Sequence, residues 1–380
     1  MINKKRTLEQ FYELIKIKCS TLNEREVADL LKKRLKELGA SSINEDNAGE
    51  KIGGNTGNIF AVFDGNAKDA PTIMLNSHMD CVEPCANIEP VLKDGLITSK
   101  GDTILGGDDK AGVTAILEGI KTIKEQNIAH GKIVIVFTVA EEGGLRGSQN
   151  MDVDMLKSMK IDFGYGIDSG GAPGKIINSA PGQDGIKVII HGKKAHGGVD
   201  PENGINSIIV AGHALSRIKQ GRVDNETTAN IGVINGGTAT NVVPDLVTIL
   251  GDARSQNQAK MEAQTKHIVE TFENTAKEFG ARAEVIVTHK YKPYKHDNNA
   301  KVIQIAKKAW ENLGIRDVNI TGTGGGSDGN NFNGYGVPTA VISNGTTKVH
   351  TTEECLLEAH LYETANWVVE IIKESAKLKK

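Results

Sequence analysis

The sequence predicts an α/β domain interrupted by a smaller α+β unit, and two features of its 380 residues support this fold class. Short apolar runs bounded by helical patterns occur near both ends of the chain, as is typical of strands buried between layers of helices. The middle of the chain instead follows the order β-α-β-β-α-β of a ferredoxin-like unit. We therefore expect one domain made of residues 1–179 and 293–380, and an inserted domain made of residues 180–292.

The first part of the chain predicts helices and strands in alternation. Val27, Leu31 and Leu35 repeat at helical spacing, and Asn23 with Glu26 indicates a capping box in front of them. The elements that follow have apolar runs of strand length or an apolar helical face: strands at 59–63, 72–76 and 133–139, and a helix over 111–126.

The inserted domain and the last part of the chain continue the pattern. In the insertion, a helix is expected to bury Ile208 and Ile209 on one face. The other elements of the insertion are strands at 186–191, 229–234, 246–252 and 283–289, and a helix carrying Ile268 and Phe272. After Pro293 the α/β style returns, with a helix over 302–313, a strand at 339–343 and a closing helix around Trp367.

Composition excludes several classes of protein. The 45 basic and 48 acidic residues give a net charge of −3, which offers no electrostatic footprint for nucleic acid or an anionic membrane surface. The 4 cysteines are scattered and do not form a disulfide framework. The N-terminal stretch lacks the apolar core of a secretion signal, and the longest apolar run, 133–140, is far too short for a membrane span. We expect a cytoplasmic protein.

Histidines and acids follow several of the predicted strands in glycine-rich turns. His78 and Asp80 come after one strand, and Asp108 lies in a glycine turn before a helix. A carboxylate can fix the tautomer of a metal-binding histidine, and a carboxylate on a tight turn can bridge two ions. Each residue also has a simpler interpretation, as a polar strand end or a helix N-cap.

Further acids and one histidine complete this set. Glu141 and Glu142 follow the most apolar strand, Asp168 follows a further apolar stretch, and His350 lies near the end of the chain. Nitrogen and carboxylate ligands without thiolate suit two divalent ions about 3.5–4 Å apart. The sequence therefore predicts a metal site in which Glu141 is the general base; its five ligands are His78, Asp108, Glu142, Asp168 and His350.

One rival chemistry remains open. Residues 325–329 match the G-x-S-x-G pattern of serine hydrolases, with Ser327 as the nucleophile. That pattern needs a strand before the serine and a helix after it, whereas polar residues lie on both sides here. We regard this interpretation as the weaker one.

Taken in order, these motifs resemble the co-catalytic dizinc peptidases that include peptidase T, glutamate carboxypeptidase and aminoacylase. The likeness covers the whole chain and is greatest to peptidase T-like tripeptidases. It implies a zinc-exopeptidase-like α/β domain with an inserted lid. In that family pattern His78 and Asp168 hold one zinc ion, Glu142 and His350 hold the other, and Asp108 bridges them. The remaining roles are a base at Glu141, an orienting carboxylate at Asp80, and a cis peptide after Asp108.

The resemblance also implies roles for residues of the inserted lid. His196 is expected to stabilise the oxyanion, while Asn241, Arg254 and Gly325 contact the substrate. Two simpler interpretations stay open: an exposed lid histidine for His196, and a salt bridge within the lid for Arg254.

The function implied is a tripeptide aminopeptidase that releases the N-terminal residue of short peptides through a metal-bridging hydroxide. An N-acyl-amino-acid amidohydrolase of the same family is the alternative. The implied cofactors are two divalent ions, Zn²⁺ before Co²⁺ or Mn²⁺. Short peptides and a second copy bound through the lid are the expected partners, with no nucleic acid and no membrane.

Overall fold

The computed structural model describes residues 1–315 and 317–379 and divides the chain into two compact units. The first unit contains Met1–Ser179, His296–Thr323 and Ser327–Lys380. The second contains Ala180–Lys295 and Gly324–Gly326. The chain thus leaves the first unit and returns to it, as expected for an insertion.

The helices of the described residues, numbered in chain order, are α1 Lys4–Ile15, α2 Arg25–Glu37, α3 Ala48–Ile52, α4 Gly107–Glu125, α5 Arg146–Gln149, α6 Val153–Ser158, α7 Ser207–Arg217, α8 Gln258–Glu278, α9 Lys301–Asn312, α10 Asp328–Gly334 and α11 Glu358–Ala376. None of these helices is long and apolar enough to cross a membrane.

The strands of the same residues are β1 Ser42–Glu45, β2 Ile59–Phe63, β3 Ile73–His78, β4 Pro90–Lys93, β5 Leu96–Ser99, β6 Ile133–Thr138, β7 Phe163–Ser169, β8 Lys175–Ala180, β9 Gly182–His191, β10 Ala195–His196, β11 Gly221–Arg222, β12 Thr227–Gly236, β13 Val242–Val243, β14 Leu246–Ser255, β15 Arg282–Tyr291, β16 Tyr294–Lys295, β17 Asn319–Gly322, β18 Thr339–Ser343, β19 Thr346–Thr347 and β20 Cys355–Leu357.

The first unit is built on a mixed sheet with the order β1-β2-β6-β3-β7-β18-β8, and β17 pairs with β8. The central strands β6, β3, β7 and β18 run parallel to one another. One face packs on α1, α4, α9 and α11, where the rings of Trp310 and Trp367 lie 4.9 Å apart. The other face packs on α6 and α10 through residues such as Phe332. Burial on both faces explains the apolar runs in these strands, and the predicted α/β class is confirmed.

A small antiparallel sheet also belongs to the first unit. Its order is β19-β20-β5-β4. The turn between β19 and β20 carries His350, whose φ of 64° lies in the left-handed region. This sheet therefore brings a residue from late in the chain toward the α/β sheet.

The second unit has the ferredoxin-like topology that the sequence predicts. Its antiparallel sheet has the order β11-β12-β14-β9-β15, with the long crossovers formed by α7 and α8. Val188, Ile249, Ile268 and Phe272 are buried between the sheet and these two helices. Since the elements alternate as β-α-β-β-α-β, each helix covers the same face of the sheet.

Two details differ from the sequence prediction. Helix α2 is preceded by Glu24, not by an Asn23–Glu26 capping box, because the Glu24 side chain is buried and already accepts backbone N–H groups. Helix α7 buries Val210 and its small neighbours, whereas Ile208 and Ile209 are exposed. Small residues let α7 lie close to the sheet, so the larger isoleucines occupy its outer side.

Candidate active site

The predicted metal ligands of the first unit gather at one edge of its sheet. His78 is the last residue of β3, Asp168 lies near the end of β7, and Glu142 follows the end of β6. These three strands are parallel, so their carboxyl ends meet at the same edge. Asp108 arrives from the start of α4 and His350 from the β19–β20 turn. Such an edge is where open α/β sheets place their binding sites.

Asp108 occupies the centre of the group. Its Oδ1 is 3.4 Å from His78 Nε2, and its Oδ2 is 3.5 Å from His350 Nε2. On one side, Asp168 Oδ1 lies 3.6 Å from His78 Nε2. On the other side, Glu142 Oε2 lies 2.9 Å from His350 Nε2. Each oxygen of Asp108 thus faces one histidine, and each of these histidines also lies close to one further acid.

The donor atoms fit divalent cations. His78, Asp108 and Asp168 form one group, and Asp108, Glu142 and His350 form another, each with ligand atoms within 4.8 Å of one another. A third overlapping group joins His78 with Glu141 and Glu142. In the part of the chain that the structure describes, Glu142 Oε1 is buried without a hydrogen-bond partner. A buried carboxylate oxygen without a donor is costly, and a cation would satisfy it.

Asp80 lies behind the ligands and is fully buried. The His78 Nδ1–H group faces the Asp80 carbonyl oxygen at 3.0 Å and the Asp80 carboxylate at 3.3 Å. Both neighbours are acceptors, so the proton sits on Nδ1 and the lone pair of Nε2 is free for a cation. The same carboxylate accepts backbone N–H bonds from Glu141 at 3.0 Å and Glu142 at 3.2 Å. Asp80 thereby holds both the ligand and the turn that carries the predicted base.

Neighbouring acids raise the pKa values of both histidines. Hydrogen bonds to Asp108 and Glu142 raise the pKa of His350 to about 10. Burial lowers the pKa of His78, but hydrogen bonds to Asp108 and Asp80 outweigh it and raise the pKa well above its ordinary value. A cation at this site would compete with a proton for Nε2 of either histidine, so cation binding should weaken as pH falls.

The acids divide into two kinds. Burial alone would raise the pKa of Asp108, yet hydrogen bonds from His350 and His78 hold it well below its usual range. Burial, reinforced by nearby carboxylates, raises the pKa of Glu141 and of Asp168 well above their ordinary values. The group has more carboxylates than cationic partners, and this excess of negative charge favours a bound cation.

Two buried acids of the site, Glu24 and Glu354, were missed by the sequence analysis, and no role was predicted for a third, Asp109, although its cis peptide was expected. Glu24 accepts the Ala140 N–H at 3.0 Å, and burial raises its pKa to about 7. Asp109 accepts from the Asn344 side chain at 2.9 Å and joins Asp108 through a cis peptide. Glu354 accepts the Asp108 N–H at 2.9 Å. Each of the three has a partner that is distant in sequence, and no local pattern predicts that contact.

Ser327 has a structural role that accounts for it. It precedes α10 as the N-cap residue, and its backbone N–H donates to the Asn330 side chain at 3.1 Å. The adjacent Asp328 accepts hydrogen bonds from the hydroxyls of Thr138 and Ser148. Contrary to the sequence expectation, β17 ends shortly before Ser327 and α10 follows it directly, but the capping box already explains the serine.

The predicted residues of the second unit lie in three places. His196 and Asn241 are neighbours, because β10 pairs with β13 and the Gly197 N–H donates to the Asn241 carbonyl oxygen at 2.8 Å. Both are exposed. Arg254 lies on β14, where its Nε donates to Asp252 at 2.9 Å, which is the salt bridge left open by the sequence. Gly325 belongs to the short segment Gly324–Gly326 of this unit.

Comparison with known proteins gives concordant findings. The model of Peptidase family M20/M25/M40 matches residues 74–374. Peptidase T from Fusobacterium nucleatum is 29% identical over 404 residues, covering 94% of this chain and 92% of that protein.

Two solved structures are similar along the whole chain. Aminopeptidase PepT from Bacillus cereus has a TM-score of 0.93 at 41% identity and covers 99% of both chains. A tripeptidase from Staphylococcus aureus has a TM-score of 0.95 at 41% identity and covers 100% of both chains.

Proposed function

The chain belongs to Peptidase family M20/M25/M40, and from this membership we propose that it is a tripeptide aminopeptidase of the peptidase T type. The resemblance to peptidase T-like enzymes is confirmed. The observation that carries the proposal is the central position of Asp108, with one oxygen facing His78 and the other facing His350. The similarity of the whole chain to a tripeptidase from Staphylococcus aureus supports tripeptides as the substrate class.

We propose that the site holds two divalent cations, with Zn²⁺ preferred to Co²⁺ or Mn²⁺. His78 and Asp168 would hold one ion, Glu142 and His350 the other, and Asp108 both. Histidine nitrogen and carboxylate oxygen are ligands that suit Zn²⁺. When bound, such a pair supplies a Lewis acid for the peptide carbonyl and lowers the pKa of water.

Glu141 is the proposed general base. The backbone N–H of Glu141 donates to Asp80 at 3.0 Å, which fixes the position of the residue. Burial raises the pKa of the Glu141 carboxyl group well above its ordinary value. A carboxylate of this kind accepts a proton from the attacking water and passes it to the leaving amine. Asp80 orients His78 and therefore takes part without touching substrate.

Residues of the second unit would bind the peptide substrate and stabilise the oxyanion formed from it. We propose that His196 stabilises the oxyanion, and that Asn241 and Gly325 contact the substrate backbone. Arg254 would bind the substrate carboxylate, which requires its guanidinium to share its hydrogen bonds with Asp252. Guanidinium groups offer five donors, so one carboxylate neighbour leaves others available.

We also propose that the second unit mediates a homodimer. Exposed apolar side chains on α7 and β12 support this, among them Ile208, Ile209, Val233 and Ile234. Exposed apolar groups of this size favour contact with another protein surface.

The experiment that tests the function combines metal analysis with a substrate screen. Protein purified without chelator would be analysed for metal content and then assayed on tripeptides, dipeptides and N-acyl amino acids. We expect about two ions per chain, release of the N-terminal residue from tripeptides and loss of activity with chelator. Activity that survives metal removal, or that is confined to acyl amino acids, would contradict the proposal.

A further inference from the structure

Glu354 is a buried carboxylate whose oxygens point at the backbone of another loop. Glu354 is only 1% exposed. Glu354 Oε2 accepts the N–H groups of Leu105 at 3.0 Å and Gly106 at 2.9 Å, and Oε1 accepts the Asp108 N–H at 2.9 Å. Three backbone donors on one carboxylate define the conformation of the 105–108 turn.

The backbone of this turn departs from helical geometry. Asp108 has φ −83° and ψ 102°, which is not helical, although α4 formally includes it. Gly106 has φ +73°, in the left-handed region that glycine adopts readily. A Cβ atom at Gly107 would lie 3.2 Å from Glu354 Oε1 and 2.8 Å from Thr346 Cγ2. The close approach of the carboxylate thus depends on glycine at this turn.

Glu354 also belongs to the segment that carries His350. Its backbone N–H donates to the Thr351 carbonyl oxygen at 3.0 Å, within the turn between β19 and β20. One side chain therefore ties the turn of His350 to the turn of Asp108, which lies 246 residues earlier. These two turns supply two of the residues that face each other across the site, with Asp108 Oδ2 3.5 Å from His350 Nε2.

We propose that Glu354 is a positioning residue for the metal centre, acting through the backbone of Asp108. This inference rests on the proposed function, in which Asp108 bridges two cations. A bridging carboxylate has to present one oxygen to each side, and a small rotation of its backbone would withdraw one of them. Glu354 restricts that rotation and fixes the position of the His350 turn relative to the Asp108 turn.

The test compares Glu354→Gln with Glu353→Gln in the full-length protein. Glutamine keeps the size of the side chain but replaces one acceptor oxygen with an N–H donor facing backbone N–H groups. Glu353 is the matched control, because it lies in the same turn, is 72% exposed at its side chain and pairs only with exposed Lys348 among the described residues. Co²⁺ is the probe, since its binding is followed by calorimetry and by visible absorption.

We expect Glu354→Gln to bind Co²⁺ roughly 10–100-fold more weakly than the wild type, with a changed visible spectrum. At saturating Co²⁺ we expect kcat to fall while KM changes little, because Glu354 acts on the ligands and not on the peptide. Glu353→Gln should match the wild type in all three measurements. Glu354→Asp, which keeps the charge but shortens the reach, should lie between the wild type and Glu354→Gln.

Wild-type Co²⁺ affinity and spectrum in a folded Glu354→Gln variant would overturn the proposal. If circular dichroism shows that Glu354→Gln does not fold, Glu354→Asp decides between the alternatives by the same affinity measurement. Loss of folding in both variants would assign Glu354 to the stability of the fold and would also overturn the proposal. Failure of the wild type to bind Co²⁺ would instead contradict the proposed function, so the two failures are distinguishable.

Discussion

The sheet edge of the first unit and the β10–β13 region of the second contrast in how their predicted functional residues are held. At the sheet edge, Asp80 and Glu354 are buried and accept several backbone N–H groups. In the second unit, His196 and Asn241 are exposed on a two-residue strand pair. The comparison indicates that the proposed metal ligands and base are fixed by buried acids, whereas the proposed oxyanion and substrate contacts of the second unit are exposed and free to adjust. Adjustable contacts suit a substrate whose side chains vary.

The strongest test of this contrast is Glu141→Gln. The variant keeps the shape of the side chain but has no carboxylate to accept a proton, so we expect kcat to fall by about 10²–10⁴-fold. The metal content should stay at the wild-type level, because the five proposed ligands are unchanged. Elemental analysis and steady-state kinetics on a tripeptide measure both quantities. A near-normal kcat would remove Glu141 from its proposed role.

The second prediction concerns His196→Ala. Loss of a proposed oxyanion donor should lower kcat by about 10²–10³-fold. Because His196 is exposed, the melting temperature and the Co²⁺ affinity should stay as in the wild type. A loss of metal binding in this variant would contradict the division between the two regions.

The third prediction concerns Arg254→Ala. If its guanidinium binds the substrate carboxylate, KM for tripeptides should rise by roughly 10–100-fold, as expected when about 1.5–3 kcal/mol of charged hydrogen bonding is lost. A tripeptide amide, which lacks that carboxylate, serves as the matched control and should be affected much less. Equal effects on both substrates would contradict a contact with the substrate carboxylate and would assign Arg254 only its salt bridge to Asp252.

The fourth prediction uses the buried acid Glu24, whose pKa is raised to about 7 by burial. The folded protein retains this proton at pH values where the unfolded chain has lost it, so the stability should fall as pH rises from about 4.5 toward 7. Glu24→Gln keeps an oxygen for the Leu22 and Ala140 N–H groups but carries no charge. We expect it to stabilise the metal-free protein at pH 8 by about 1–3 kcal/mol.

Urea unfolding at pH 5 and pH 8 measures this effect. The gain should be small at pH 5, where the wild-type Glu24 is protonated in the folded state. A variant that is destabilised equally at both pH values would show that Glu24 acts through its contacts and not through its charge.

The sequence allowed the α/β fold, the ferredoxin-like insertion and the identity of the candidate ligands to be predicted. Parallel strands place their carboxyl ends at one edge, so a histidine or acid just after an apolar run indicates where a side chain will lie. His78, Glu142 and Asp168 were predicted in this way. Asp108 was included because it lies in a glycine turn before a helix, and His350 because its imidazole completes a set of nitrogen and carboxylate ligands.

The residues that hold these ligands could not be predicted from local patterns. Glu354 accepts N–H groups 246 or more residues away, and Glu24 accepts one that is 116 residues away. A buried acid that binds backbone N–H groups looks in sequence like any surface acid. The exposed face of α7 was predicted wrongly for a related reason, since the size of the residue that fits against a sheet depends on the distance of the helix from that sheet.

The carboxylate of Asp80 has a consequence for motion. It contacts the ring nitrogen of His78 and the backbone of Glu141 at once, so thermal displacement of one is transmitted to the other. Two groups on a common support fluctuate together, and the distance between them varies less than the position of either. The distance between the His78 ring and the Glu141 backbone should therefore stay nearly constant while the surrounding loops fluctuate.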